Sequence, residues 1–95
     1  GAPPEAREKL FSYKSTEYTI PVEFGPGLGL IYLDRIEDGQ DVALGAILKA
    51  AIGKDGWSTL LALAAENKIS SEQMTALIEK VKIKLMGALE DTAGN

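Results

Sequence analysis

Residues 70–90, which read SSEQMTALIEKVKIKLMGALE, carry the strongest local signal in the chain and decide its fold. Ser70 and Gln73 have the spacing of a capping box, in which two side chains satisfy free N–H groups at a helix start. Apolar residues then recur every three or four positions for about four turns, the period of one helix face. They are Met74, Leu77, Ile78, Val81, Leu85 and Leu89. The stretch predicts an amphipathic helix over 71–89 that packs one face on a core.

The middle of the chain predicts three more helices. Their expected bounds are 27–38, 41–52 and 56–67. Pro26 favours a helix start, because its ring fixes φ near the value of a first turn. Gly39 and Gly53 are expected to end the first and second of these helices, and Asp41 is placed to cap the second. In the third, Trp57 shares a face with three apolar neighbours, which indicates a core residue.

The amino end of the chain predicts a β-hairpin over residues 10–22. Two short runs around Ser15 and Thr16 are rich in aromatic and β-branched residues, and apolar and polar residues alternate in each run. The alternating apolar residues are Phe11, Tyr13, Tyr18 and Ile20. Pro21 then limits further strand pairing.

These patterns predict one mainly α domain, a small helical bundle of about four helices with an N-terminal β-hairpin. The domain spans residues 10–90, since a chain of 95 residues is too short to divide into two cores. Residues 1–9 have no apolar partner, and residues 91–95 follow a helix end that contains a glycine. We therefore expect a flexible N-terminal arm and a flexible C-terminal tail.

Composition excludes several classes of function. The chain contains no His and no Cys, which removes imidazole and thiol catalysis and the zinc sites built from those ligands. Its net charge of −4 opposes binding to a phosphate backbone, so nucleic acid is not an expected partner. No apolar run reaches the ~18–20 residues of a membrane span, and no charged-then-apolar stretch opens the chain. We expect a cytoplasmic protein that has no enzymatic activity and no membrane partner.

Two patterns have some features of ligand sites, but each is incomplete. The glycine-rich stretch 25–29 lacks the Gly-Lys-Ser/Thr ending of a phosphate loop, which favours a hairpin exit and helix start instead. Four acidic residues around a helix end have oxygen ligands at a suitable spacing for a divalent cation, but not the alternating Asp/Asn ligands of a calcium loop. They are Asp34, Glu37, Asp38 and Asp41. We expect a solvated acidic rim with no cofactor and no metal.

Three lysines of the last helix, Lys80, Lys82 and Lys84, do not form one focused stripe. Successive helical residues are about 100° apart, so Lys80 and Lys84 are separated by about 40° while Lys82 points elsewhere. Lysines in such positions lay their alkyl chains along apolar surface and keep their charges in water. We expect residues that flank the apolar stripe.

Apolar surface is left over after one core is built. Ile83 projects about 180° from Met74, and the helix over 41–52 has a second face of small residues opposite its main stripe. Single exposed apolar residues are ordinary and small residues allow close contact inside a bundle, so core packing explains part of this surface. The other explanation is association, either with copies of the chain or with an apolar partner helix. The candidate partner-binding residues are Val42, Ala46, Ala50, Ala76, Ile83, Met86 and Gly87.

In their order along the chain, these features resemble the tail assembly chaperones of long-tailed phages and prophages of actinobacteria. The resemblance covers about residues 10–90 and consists of structural motifs. Those in the first half are the Phe-x-Tyr strand at Phe11, the run EYTIPVEF at 17–24, and 28–33 with Ile31-Tyr32-Leu33. Those in the second half are the Ala/Leu-rich helix ending in Gly53, Trp57 followed by Leu60-Leu61, and GALE at 87–90. The segment 25–27 is richer in glycine than the family pattern.

The resemblance implies a non-enzymatic chaperone of the host cytoplasm that coats the long, helical tape-measure protein until the tail tube polymerises around it. The chain is similar to the short form that such phages make beside a frameshift-extended one. The implied partners are apolar helical segments of the tape-measure protein and further copies of the chain. One alternative is a self-associating structural or adaptor protein with no tape-measure client. A small metal- or nucleotide-binding domain is the less favoured alternative.

Overall fold

The structure, a computed structural model, describes the backbone of residues 6–93 and the side chains of residues 6–90. Its elements in chain order are β1 (Arg7–Tyr13), β2 (Thr16–Pro21), α1 (Pro26–Arg35), a short 3-10 helix (Ile36–Asp38), α2 (Gln40–Ala65) and α3 (Ser71–Ala93). The mainly helical fold with an N-terminal antiparallel β-hairpin is confirmed. The bundle of about four helices is not confirmed, because the described residues form three α-helices.

The difference in helix number arises at Gly53. The predicted helices 41–52 and 56–67 are two arms of α2, which bends at this residue without an intervening loop. Gly53 has φ 83° and ψ 171°, a backbone conformation that side-chain-bearing residues rarely adopt. A glycine that ends a helix and a glycine that kinks one produce the same sequence signal, so the pattern alone does not separate the two.

The start of α2 also differs from the prediction. The helix begins at Gln40, and its N-cap is Gly39, with φ 121°, ψ 147° and no side-chain hydrogen bond. Asp41 therefore does not cap the helix but lies in its first turn, where a carboxylate interacts favourably with the helix dipole. The predicted helix 27–38 is divided, because α1 ends at Arg35 and the 3-10 helix follows.

The predicted capping box is present at the start of α3. The Ser70 backbone N–H donates to Oε1 of Gln73 at 2.9 Å, and the Gln73 N–H donates to Oγ of Ser70 at 3.0 Å. The helix continues to Ala93, so it includes residues 91–93 of the segment that the sequence predicts as a tail. Residues 94 and 95 lie outside the described residues.

The hairpin starts at Arg7, inside the segment predicted as an arm. Arg7 is held because its guanidinium donates to Oγ1 of Thr19 at 2.8 Å and to the carbonyl of Ala51 at 2.9 Å. Residues 1–5 lie outside the described residues. Of the predicted arm, residues 7–9 thus belong to β1, which carries a hydrogen bond to α2.

Strand register places two aromatic residues of the hairpin, Phe11 and Tyr18, side by side. The strands are joined by the two-residue loop 14–15, whose positive φ values suit the right-handed strand twist. A bulge between Lys9 and Phe11 leaves Leu10 as the extra residue, and Phe11 pairs with Tyr18. The rings of that pair stack with centroids 4.8 Å apart. Leu10 and Phe11 both pack against the core.

The core lies where the hairpin, α2 and α3 meet. Its buried residues are Ile20, Phe24, Ile47, Leu48, Ala51, Leu60, Val81, Leu85 and Ala88. Val81 and Leu85 confirm that the predicted stripe of α3 faces inward, and Leu77 and Leu89 pack partly buried against the cluster. Met74, at the start of the stripe, remains 37% exposed. The core therefore covers the stripe from Leu77 to Leu89 but leaves its first residue partly in water.

We expect opposite effects from two alanine substitutions within α2. Gly53→Ala should lower the free energy of unfolding by about 1–3 kcal/mol, because the kink requires a strained φ for any other residue. Gly45→Ala should raise it by about 0.5–1 kcal/mol, because Gly45 is helical and nothing lies within 4 Å of a Cβ there. Urea denaturation followed by far-UV circular dichroism measures both. Equal effects of the two substitutions would contradict the kink.

Candidate partner-binding site

An open groove runs along α3, between that helix and the segment that links β2 to α1. We call it the outer groove, and its volume is about 720 Å³. Its apolar lining residues are Val22, Phe24, Ala76, Ile83 and Gly87. Its charged lining residues are Glu8, Glu23, Glu79, Lys80, Lys84 and Glu90. The groove therefore combines apolar surface with charged side chains.

The helical period brings the groove residues of α3 onto one face. Ala76, Ile83 and Gly87 lie at positions i, i+7 and i+11, close to whole numbers of turns. Ile83 is 71% exposed, and nothing lies within 4 Å of a Cβ placed at Gly87. Phe24, by contrast, belongs to the core and is 5% exposed. The outer groove thus connects exposed apolar surface on α3 to the core.

Three of the predicted partner-binding residues meet in this groove: Ala76, Ile83 and Gly87. A fourth, Met86, is 56% exposed and is a surface neighbour of Ile83 on α3. The α3 part of the predicted site is therefore one continuous exposed face.

The other three predicted residues, Val42, Ala46 and Ala50, lie on the first arm of α2. Val42 and Ala50 are exposed and Ala46 is half-buried, but none of them lines the outer groove. Their neighbour Ala43 is fully buried, so the small-residue side of this arm turns partly into the core. The structure does not bring these residues together with the α3 set.

The hairpin side of the groove is missing from the sequence-based prediction. Val22 and Phe24 follow the end of β2 and reach α3 through the tertiary fold. The available signal was Pro21, which limits strand pairing because it has no backbone N–H, and which precedes two apolar residues beyond the strand. That signal marks an irregular apolar segment but does not identify the helix it faces.

A charged cluster connects the hairpin to α3 beside these residues. One carboxylate oxygen of Glu8 lies 3.2 Å from Nζ of Lys80 and 3.3 Å from Nζ of Lys84. Lys84 also donates to the carbonyl of Val22, and its side chain is only 10% exposed. The two lysines thus share one partner instead of acting as separate flanking residues. Lys82 points elsewhere as predicted, and its Nζ lies 3.9 Å from Oε1 of Glu79.

The lysines change the titration of Glu8. The hydrogen bond from Lys80 and then that from Lys84 stabilise the ionised carboxylate, so the pKa of Glu8 is lowered in the folded protein. A lowered folded-state pKa means that ionised Glu8 contributes stability above the ordinary glutamate pKa of about 4.3. This contribution is lost as the pH falls through that value towards the folded-state pKa.

Glu8→Gln should therefore reduce the acid sensitivity of the fold. We expect the variant to have a lower Tm than the parent chain at about pH 7, and the difference to shrink towards about pH 3. Thermal unfolding followed by circular dichroism across this range measures the effect. Glu37→Gln, which removes an exposed carboxylate of the 3-10 helix, is the control. A difference between parent and Glu8→Gln that does not depend on pH would contradict the role of this cluster.

A second groove lies between α3 and the two arms of α2. We call it the inner groove, and its volume is about 440 Å³. Its lining includes Leu44, Gly45, Leu48, Trp57, Leu60, Leu61, Ala64, Met74, Leu77, Ile78 and Val81. Trp57, predicted as a core residue, is half-buried, packs against the core and also lines this groove. The kink at Gly53 divides α2 into two arms. The apolar surface of both arms lines this groove together with α3.

The glycine-rich stretch forms the start of a helix, and the acidic stretch does not form a metal site within the described residues. Gly25 is the N-cap of α1 and Pro26 is its first residue, so the helix starts in the glycine-rich stretch as predicted, one residue before the expected bound. In the described part of the chain, no three acidic side chains come together in a way that would hold a metal ion.

No helix within residues 6–93 has both the length and the apolar character needed to cross a membrane.

Comparison with protein-family models, curated proteins and solved structures finds no match to this chain.

Two aspartate substitutions on α3 should have very different effects. Val81→Asp should unfold the domain, because Val81 is 2% exposed and a buried unpaired charge costs about 4 kcal/mol or more. Ile83→Asp should change the free energy of unfolding by less than about 1 kcal/mol, because this side chain is already in water. Circular dichroism at increasing temperature distinguishes the two. Loss of the fold in Ile83→Asp would place Ile83 in the core.

Proposed function

We propose that this chain is a non-enzymatic tail assembly chaperone that binds and shields apolar helical segments of a phage tape-measure protein. The observation that carries the proposal is the exposed apolar face of α3, where Ile83 and Met86 are 71% and 56% exposed. Burying a side chain of this size contributes about 1.5–3 kcal/mol, so a partner that covers this face gains binding energy. The resemblance of residues 10–90 to tail assembly chaperones supplies the identity of the client.

The shape of this face suits a helical client. Ala76 lies about two turns before Ile83, and Gly87 lies about one turn after it. Small residues beside a large one allow a second helix to approach closely and place its apolar side chains around Ile83. The outer groove continues this surface to Val22 and Phe24. A client helix laid along α3 therefore finds both an exposed anchor residue and space for its own side chains.

The charge of the chain is also compatible with a chaperone. A net charge of −4 makes complexes that carry several copies repel each other, which opposes aggregation. Shielding of apolar helices and electrostatic dispersion together are the physical requirements for keeping a long, apolar helical protein in solution.

Self-association is the second candidate, because the same exposed apolar face can be covered by another copy of the chain. Large exposed residues outside α3 add to this possibility, namely Leu30 and Leu33 on α1 and Leu61 on α2. Light scattering of the purified chain, followed by co-expression with a helical client, separates the two functions. A stable oligomer that does not bind a helical client would favour the structural or adaptor role.

Co-expression tests the proposed client directly. The chain should increase the soluble fraction of a long helical tape-measure protein encoded beside it, because shielded apolar segments do not aggregate. Ile83→Asp should reduce this effect severalfold, since it places a charge in the contact. Thr75→Asp adds the same charge to an exposed position of α3 and serves as the matched control. Equal client solubility with and without the chain would contradict the proposed function.

A further inference from the structure

The charges around the outer groove are unbalanced. Its described lining contains four carboxylates and two lysines, a net charge of −2. Both lysines already contact Glu8, at 3.2 Å and 3.3 Å. The remaining carboxylates belong to Glu23, Glu79 and Glu90, which are exposed, and only Glu79 has a lysine nearby, at 3.9 Å. Both positive charges of the groove are therefore paired with Glu8, while the other three carboxylates are exposed to water.

These carboxylates have defined positions around the apolar surface. Glu79 and Glu90 are eleven residues apart on α3, a separation of about 16 Å along the helix axis. Ile83 and Gly87 lie between them on the same face. Glu23 lies on the other side of the groove, in the segment after β2. An apolar strip about three turns long is thus bordered by acidic residues on both sides of the groove.

We infer that the outer groove selects helical client segments whose apolar stripe is flanked by lysine or arginine residues. This inference rests on the proposed function and adds a charge requirement to it. A basic client helix along α3 places its cations beside the exposed carboxylates of Glu23, Glu79 and Glu90, and its apolar stripe beside the middle of that helix. An acidic client of the same hydrophobicity brings like charges together, which opposes binding. The charge of the groove therefore distinguishes clients that apolar contact alone does not.

Three synthetic helical peptides of about 18 residues test this inference. They share one leucine stripe at i, i+3, i+4, i+7 and i+11 and differ only in flanking residues, which are Lys, Gln or Glu. Fluorescence anisotropy measures their Kd for the full chain. We expect the Lys peptide to bind about tenfold more tightly than the Gln peptide, and the Glu peptide to bind most weakly. The preference for Lys should decrease as salt is added.

Charge reversal within the groove should reverse the order of affinity. In the double variant Glu79→Lys, Glu90→Lys, both substituted residues are exposed, so the fold should persist. We expect this variant to bind the Glu peptide at least as tightly as the Lys peptide. An unchanged preference for the Lys peptide would overturn the inference.

Two glycines identify the groove that the peptides occupy. Gly87→Leu fills the outer groove while retaining the helix, since a Cβ at this position meets nothing within 4 Å and leucine is a good helix former. Gly45→Leu is the matched control, because Gly45 has the same open space but lines the inner groove. We expect Gly87→Leu to weaken binding of the Lys peptide at least tenfold and Gly45→Leu to leave it unchanged. The opposite result would overturn the assignment.

The peptide series also separates failure of this inference from failure of the proposed function. Equal affinity of the three peptides, with loss of binding in Gly87→Leu, overturns the charge requirement but retains an apolar helix-binding groove. Absence of binding by all three peptides contradicts the proposed function together with the inference.

Discussion

The structure depends on the packing of one side of α3 against a small core. Val81, Leu85 and Ala88 meet Ile20 of the hairpin and Ile47 of α2 in a single buried cluster. Each large side chain buried there contributes about 1.5–3 kcal/mol, and a domain of this size has few of them. Because this contact uses only the inward stripe of α3, its opposite face remains in water. The fold and the candidate site are therefore two sides of the same helix.

The charged cluster around Glu8 holds the two sides of the outer groove together. It connects β1 to α3 through Lys80 and Lys84, and Lys84 also binds the carbonyl of Val22. These contacts hold the segment after β2 beside the exposed face of α3. They also pair the two lysines with Glu8, so that these cations are less available to an acidic partner. One cluster thus affects both the shape of the groove and the charge that a partner encounters.

Features that depend on neighbouring residues could be predicted well. The capping box of Ser70 and Gln73 and the hairpin both form as expected, because each is specified within a few residues. The number of helices could not be predicted, since the effect of Gly53 depends on whether helical hydrogen bonding resumes after it. For the site, helical spacing brought Ala76 and Ile83 onto one face but gave no information about the opposite side of the groove.

Local sequence patterns are enough to specify that α3 is amphipathic, that a hairpin precedes the helices, and that apolar residues exceed the needs of one face of that helix. These properties follow from local backbone preferences and from side-chain periodicity. The three-dimensional packing, by contrast, brings Glu8 to Lys80, 72 residues away, and places Phe24 in the same groove as Ile83. Such contacts depend on how the elements pack in three dimensions, and no short stretch of sequence contains both partners.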